Sequence, residues 1–158
     1  MKNNEIIHQW SIACDKSSVD QGSNLLSLFN IVDEITVSNL SVSEKKVDLK
    51  DMSDKNVIVV QKEMDYVSLW RRSVLQDKNS ILERNLKFEW VSPSGKVLTT
   101  NESPMQFGAG KQNMRMILRI NTIAITVPGT YCIRLSSKES DKKSYITVAE
   151  TPIDIKIV

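Results

Sequence analysis

Cysteine, histidine, glycine and proline are all scarce in this 158-residue chain, and each scarcity removes a class of protein. The two cysteines, Cys14 and Cys132, lie far apart and show no Cys-x-x-Cys spacing. That pattern fits two reduced thiols in a reducing compartment better than a disulfide framework. A single histidine, His8, cannot build a His-rich metal cluster. Five glycines and four prolines are too few for a collagen-like or flexible low-complexity chain. No apolar run approaches the ~20 residues of a membrane-spanning helix. The opening Met1-Lys2-Asn3-Asn4-Glu5 lacks the basic and apolar regions of a signal peptide. A cytoplasmic location, in a bacterium or in a virus-infected cell, and no membrane partner are therefore expected.

What is present suits one globular domain over residues 1–158. Hydrophobic residues make up 41% and charged residues 25%, so folding at this length buries roughly 70% of the unfolded surface. The net charge of +2 conceals an asymmetry: residues 1–70 hold 7 basic and 11 acidic groups, residues 71–158 hold 14 and 8. A bipolar chain of this kind favours an acidic partner, or else reflects an acidic rim and a basic sheet face.

The dominant pattern has period two, the repeat of a strand with one buried face. Ile6, His8, Trp10, Ile12 and Cys14 form one row. After the turn-rich 15–24, residues 25–37 are apolar on both faces, which predicts a central strand covered on two sides. Residues 38–56 are polar, with room for a short element around Val47 to Met52. Val57 to Val60 begins another strand, which Tyr66 to Trp70 either continues after a bulge or follows as the next. Residues 73–84 are the best helical candidate, weakened by Asn79-Ser80. Leu86, Phe88 and Trp90 alternate with Lys87 and Glu89 before the turn Ser92-Pro93-Ser94-Gly95, and 96–100 return. Met114, Met116, Leu118 and Ile120 oppose Arg115 and Arg119; Tyr131, Ile133 and Leu135 oppose Cys132 and Arg134; Ile153, Ile155 and Ile157 close the chain. Eight or nine strands predict an all-β, antiparallel two-sheet β-sandwich, immunoglobulin-like or C2-like, with Greek-key connections.

The peptide Val127-Pro128-Gly129-Thr130-Tyr131 has the chemistry of a tyrosine corner. There a buried ring returns its hydroxyl to the turn backbone, with Gly129 at the bend. Cys132 directly follows Tyr131, so it faces the other way and the inter-sheet disulfide of antibody domains is not expected.

Catalytic groups are sparse. His8 and Cys14 share a strand but sit roughly 20 Å apart at ~3.3 Å per residue. Cys132 meets His8 only if the fold brings them together. Asp15, Asp20, Asp33 and Glu34 suggest a calcium loop but lack alternate-position carboxylates, and Asp48, Asp51 and Asp54 read as a solvated segment. Gly108-Ala109-Gly110-Lys111 lacks the phosphate-loop spacing. Nothing calls for a cofactor, and no catalytic or metal residue is assigned. The remaining candidate is an interaction face made of Trp70, Arg71, Arg72, Arg115, Arg119 and Arg134, which requires their strands to be neighbours. The plainer reading is that these arginines keep an exposed sheet face soluble.

The run Trp10-Ser11-Ile12-Ala13-Cys14-Asp15, then Val19-Asp20 and Leu26-Ser27-Leu28-Phe29-Asn30-Ile31, resembles the start of a family of small, uncharacterised β-sandwich proteins of bacteria and phages. The Ser-Pro-Ser-Gly-Lys turn at 92–96, Pro-Gly-Thr-Tyr at 128–131 and Ala149-Glu150-Thr151-Pro152-Ile153 fit the same pattern, so the similarity spans nearly the whole chain. It implies a sandwich and transfers no functional residue. The expectation is a non-catalytic protein-interaction module, possibly of a bacterial or phage-related assembly, with edge strands offering a route to homo-oligomers. The alternative is a ligand- or single-stranded nucleic-acid-binding sandwich using the arginine face, nucleic acid being the weaker of the two partner classes.

Overall fold

The computed structural model describes residues 6–38, 57–73 and 79–158. Among them nine strands occur: β1 (Ile6–Val19), β2 (Leu26–Ile31), β3 (Glu34–Val37), β4 (Ile58–Arg72), β5 (Leu82–Val91), β6 (Val97–Phe107), β7 (Asn113–Ile125), β8 (Gly129–Glu139) and β9 (Ile146–Ile157). They form a four-stranded sheet in the order β2-β1-β4-β7 and a five-stranded sheet in the order β3-β9-β8-β5-β6. Every pairing is antiparallel except β3 with β9.

The alternation that marks these strands in sequence also builds the core. Leu86, Phe88 and Trp90 of β5, Tyr131, Ile133 and Leu135 of β8, and Ile153 and Ile155 of β9 point inward from the larger sheet. Tyr66 and Trp70 of β4 answer from the smaller one, and the Tyr66 ring meets Phe88 edge-on at 6.1 Å. The order β9-β8-β5-β6 facing β1-β4-β7, with Greek-key crossings between the sheets, is immunoglobulin-like. The corner sits at the turn before β8. The Tyr131 hydroxyl accepts the N–H of Thr126 at 2.7 Å and of Val127 at 3.1 Å, and donates to the Val127 carbonyl at 2.8 Å. Its ring stacks on Trp90 at 5.1 Å, where antibody domains place a tryptophan against a disulfide. Both cysteines are free thiols. Gly129 has φ +142°, and a Cβ there would come within 3.0 Å of Pro93 Cγ.

Three expectations are corrected. Residues 25–37 do not form one central strand: β2 and β3 lie in different sheets, each at an edge, and Phe29 and Ile31 remain 50% and 52% exposed. Apolar residues on both faces here reflect a chain that changes sheets at Val32-Asp33, each short piece burying a different side. Residues 79–84 are not helical, since β5 begins at Leu82; residues 74–78 of that candidate lie outside the described residues, as does the element expected around Val47 to Met52. The row from Ile6 to Cys14 is split by an irregularity between His8 and Trp10, so His8 faces Trp70 of the core whereas Trp10 pairs with Leu69 on the outer face. The strand β4 runs unbroken past an irregularity between Gln61 and Met64.

The β1–β2 hairpin does more than extend the smaller sheet. β2 and β7 are its opposite edges, yet Arg115 Nη2 of β7 donates to the carbonyl and Oδ1 of Asn24 in the hairpin turn, at 2.9 and 2.5 Å. The hairpin therefore curls across the outer face. This explains why Cys14, Asp65 and Val67, which point outward, are almost completely buried.

Candidate functional site

The structure does not bring the six residues of the expected interaction face together. Trp70 is in the core, its Nε1 donating to Ser68 Oγ at 2.9 Å. Arg72 is also buried: Nε donates to Lys111 O, Nη1 to Ser80 Oγ, and Nη2 to the carbonyls of Ser80 and Gly108, all within 3.2 Å. It is a structural staple between the turn before β5 and the β6–β7 connection. Arg71, Arg115 and Arg119 lie on the outer side of the smaller sheet, beside Ile7, Leu69 and Asp65 respectively. Arg134 belongs to the other sheet, where Nε meets Glu150 Oε1 at 2.9 Å and Nη1 approaches Glu89. The Glu150 bond, with Glu89 beyond it, raises the Arg134 pKa further and holds the guanidinium charged. The outer face of the larger sheet is thus mixed in charge rather than basic around Arg134. Alternation in each strand revealed which arginines point away from their neighbours, but not which side of the sandwich each strand occupies.

Three of the four carboxylates that suggested calcium, Asp15, Asp20 and Glu34, already have protein partners. Asp15 meets Lys62 Nζ at 2.7 Å, Asp20 Oδ1 accepts the N–H and hydroxyl of Ser23, and Glu34 pairs with Lys156 at 2.6 Å. Asp48, Asp51 and Asp54 lie outside the described residues. Among the described residues, no three His, Cys, Asp or Glu side chains converge for a metal. His8 and Cys132 are not neighbours. His8 shares a cavity with Ser137, which is roughly 16 Å from Cys132 along β8 at ~3.3 Å per residue. Burial lowers the His8 pKa against a smaller opposing effect of the Trp10 backbone, and burial raises both thiols, so neither is activated as a thiolate.

Asp65 is the buried carboxylate that the sequence did not flag. Burial by itself would raise its pKa. The Ser17 hydroxyl and N–H, which donate to Oδ2 at 2.7 and 2.8 Å, together with Arg119 Nε at 3.3 Å from Oδ1, outweigh that effect and lower it. Asp65 ties the hairpin to β7 through one side chain.

A slot of about 300 Å³ opens between the edge strands β6 and β7. Its floor is core: Phe88, Trp90, Leu118, Ile120 and Ile133. Thr99 and Asn101 of β6 form one rim, Asn121 and the 71%-exposed side chain of Arg119 the other. The two edges differ. β6 contains Pro104, which cannot donate to an added strand, whereas the 13 residues of β7 include neither proline nor glycine. The other edges, β2 and β3, are only 6 and 4 residues long. The sequence pattern reads β7 as a strand; that it is an edge beside an opening follows only from the pairing order.

No protein-family model and no curated protein matches the chain. Among solved structures, an immunoglobulin-like protein from Pseudomonas aeruginosa is similar, with 12% identity and a TM-score of 0.39 over 99% of this chain and 100% of that one.

Proposed function

We propose that this chain is a non-catalytic protein-interaction module that takes an extended segment of another protein along the free edge of β7. The observation that supports this reading is a long, proline-free edge, unpaired among the described residues, lying beside an apolar slot. An unpaired edge offers a row of backbone donors and acceptors to an incoming strand, and pockets beside it select alternate side chains. The segment carries apolar residues at every second position, to enter the slot over Leu118 and Ile120. It carries a carboxylate in reach of Arg119, the exposed cation of the rim. A second copy of this chain fits less well: symmetric antiparallel pairing about Ile117 sets Arg115 of each copy opposite Arg119 of the other, a repulsive cross-strand pair.

Selection from a displayed library of random peptides against the purified chain tests the reading. Enriched peptides should alternate apolar residues and include an acid. In amide-resolved NMR they should perturb β6 and β7, and Thr99→Trp, which fills the slot from its exposed rim, should weaken them at least tenfold. Peptides that perturb other strands, peptides indifferent to Thr99→Trp, or a chain that sediments as a dimer without peptide would each refute it.

A further inference from the structure

The outer face of the smaller sheet carries apolar side chains where a solvated face would be polar. Ile7 of β1 lies beside Arg71 of β4 and Asn113 of β7, and the next outward row sets Trp10 beside Leu69 and Arg115. Ile7 and Trp10 are 43% and 37% exposed, and Ile117, on the same side of β7, is 41% exposed. The cations among them are not cancelled. Arg71 is exposed and has no ion pair among the described residues. Arg115 bonds to the neutral carbonyl and side-chain oxygens of Asn24, which leaves its charge in place. Asp65, further along the same side of β4, is 3% exposed and already held by Ser17 and Arg119. An apolar floor flanked by two uncancelled cations complements a partner that is both apolar and acidic.

The sheet also dictates the shape of that partner. β1 and β4 are interior strands, paired on both sides. Their backbone groups are used, so the face offers side chains alone. A partner lying on it has to satisfy its own backbone, which a helix does and a single extended segment does not. The β1–β2 hairpin, drawn over the face by the bond between Asn24 and Arg115, stands as a ridge beside the floor. A flat bilayer would rest on that ridge, whereas a helix about 10 Å wide fits beside it. From Ile7 to Ile12 the strand advances roughly 16 Å at ~3.3 Å per residue, the length of about three helical turns.

We propose that this face docks an acidic amphipathic helix of another protein, with the apolar stripe of the helix on Ile7, Trp10 and Leu69 and its carboxylates on Arg71 and Arg115. The surface uses neither the slot between β6 and β7 nor Arg119, and it does not depend on the reading of the β7 edge.

The probe is a side-chain-stapled helical peptide of about 14 residues, with leucines at i, i+3, i+4 and i+7 and glutamates on both sides of that stripe. Its control carries lysines in place of the glutamates. Binding is followed by amide-resolved NMR and by iodide quenching of tryptophan fluorescence, which reads Trp10 because Trp70 and Trp90 are only 1% and 6% exposed. The glutamate peptide should shield Trp10, perturb residues 7–12, 69–71 and 113–117, and bind at least tenfold more tightly than the lysine peptide. Arg71→Glu, at an exposed position, should reverse that preference. Trp10→Ser should weaken the glutamate peptide at least threefold by NMR, and Thr99→Trp in the slot should leave it unaffected. Equal binding of the two peptides, a preference that survives Arg71→Glu, binding lost in Thr99→Trp, no binding of either peptide, or a chain that takes up phosphatidylserine vesicles but not the glutamate peptide would each overturn the proposal.

Discussion

Replacing Tyr131 with phenylalanine isolates the hydroxyl of the corner, because the ring and its stack on Trp90 are retained. The hydroxyl serves three backbone groups: two N–H donors, at Thr126 and Val127, and the Val127 carbonyl. Each bond contributes about 0.5–1.5 kcal/mol net, so the three together would contribute roughly 1.5–4.5 kcal/mol if none found a substitute. Val127 is half exposed, and water can reach its groups once the hydroxyl is gone. The expected loss is therefore in the lower half of that range, about 2 kcal/mol, or roughly 4–8 °C in Tm for a domain of this size. Urea unfolding followed by tryptophan fluorescence measures it, with an unchanged m-value required so that the shift in midpoint reports stability alone. A change below about 0.5 kcal/mol, within the range of an indifferent surface substitution, would refute the reasoning.

Three further perturbations test other parts of the structure. Gly129→Ala forces a Cβ toward Pro93 at a positive φ and should cost about 1–3 kcal/mol in the same urea assay. Arg72→Lys replaces a planar fork that reaches three carbonyls and a hydroxyl with a single ammonium. It should cost about 2–4 kcal/mol, and retention of wild-type stability would show that one point charge suffices. Asp65 has a folded pKa below its unfolded value, so its contribution is fully present above the unfolded value of about 3.9 and is lost as pH falls through the folded one. Asp65→Asn should be less stable than wild type at pH 7 by about 2 kcal/mol, with the gap closing below pH 4. A gap independent of pH would mean that the carboxylate charge does not matter.

Much of the sandwich was legible because β5, β7, β8 and β9 each bury one face only, so a period of two survives in the residue pattern. Leu86, Phe88 and Trp90 are inside as that pattern requires, with Lys87 and Glu89 outside. The pattern misled where local geometry changes the parity. An irregularity after His8 sends Trp10 to the opposite side, and a change of sheet at Val32-Asp33 makes two edge strands look like one buried strand. The interaction face failed for a different reason. A strand pattern places Arg71 and Arg72 on opposite faces of β4, but it does not say that Arg72 finds three carbonyls in the interior while Arg134 faces away across the sandwich. The slot depends on which strands end as edges and on how the two sheets meet. Those are long-range properties that no single segment encodes.

The hairpin that curls over the smaller sheet has a consequence for how the molecule opens. Its polar ties to the body are few: Asp15 to Lys62, Ser17 to Asp65, and Arg115 to Asn24. Among the described residues strand β2 pairs only with β1, and several of its side chains face solvent. Such a unit detaches at a smaller free energy than the sandwich as a whole. Each detachment wets Cys14 and Val67, whose seclusion depends on a cover rather than on depth. Thiol labelling of Cys14 thus becomes a clock for the hairpin, ticking at the rate of a local excursion while the tryptophans of the core stay folded.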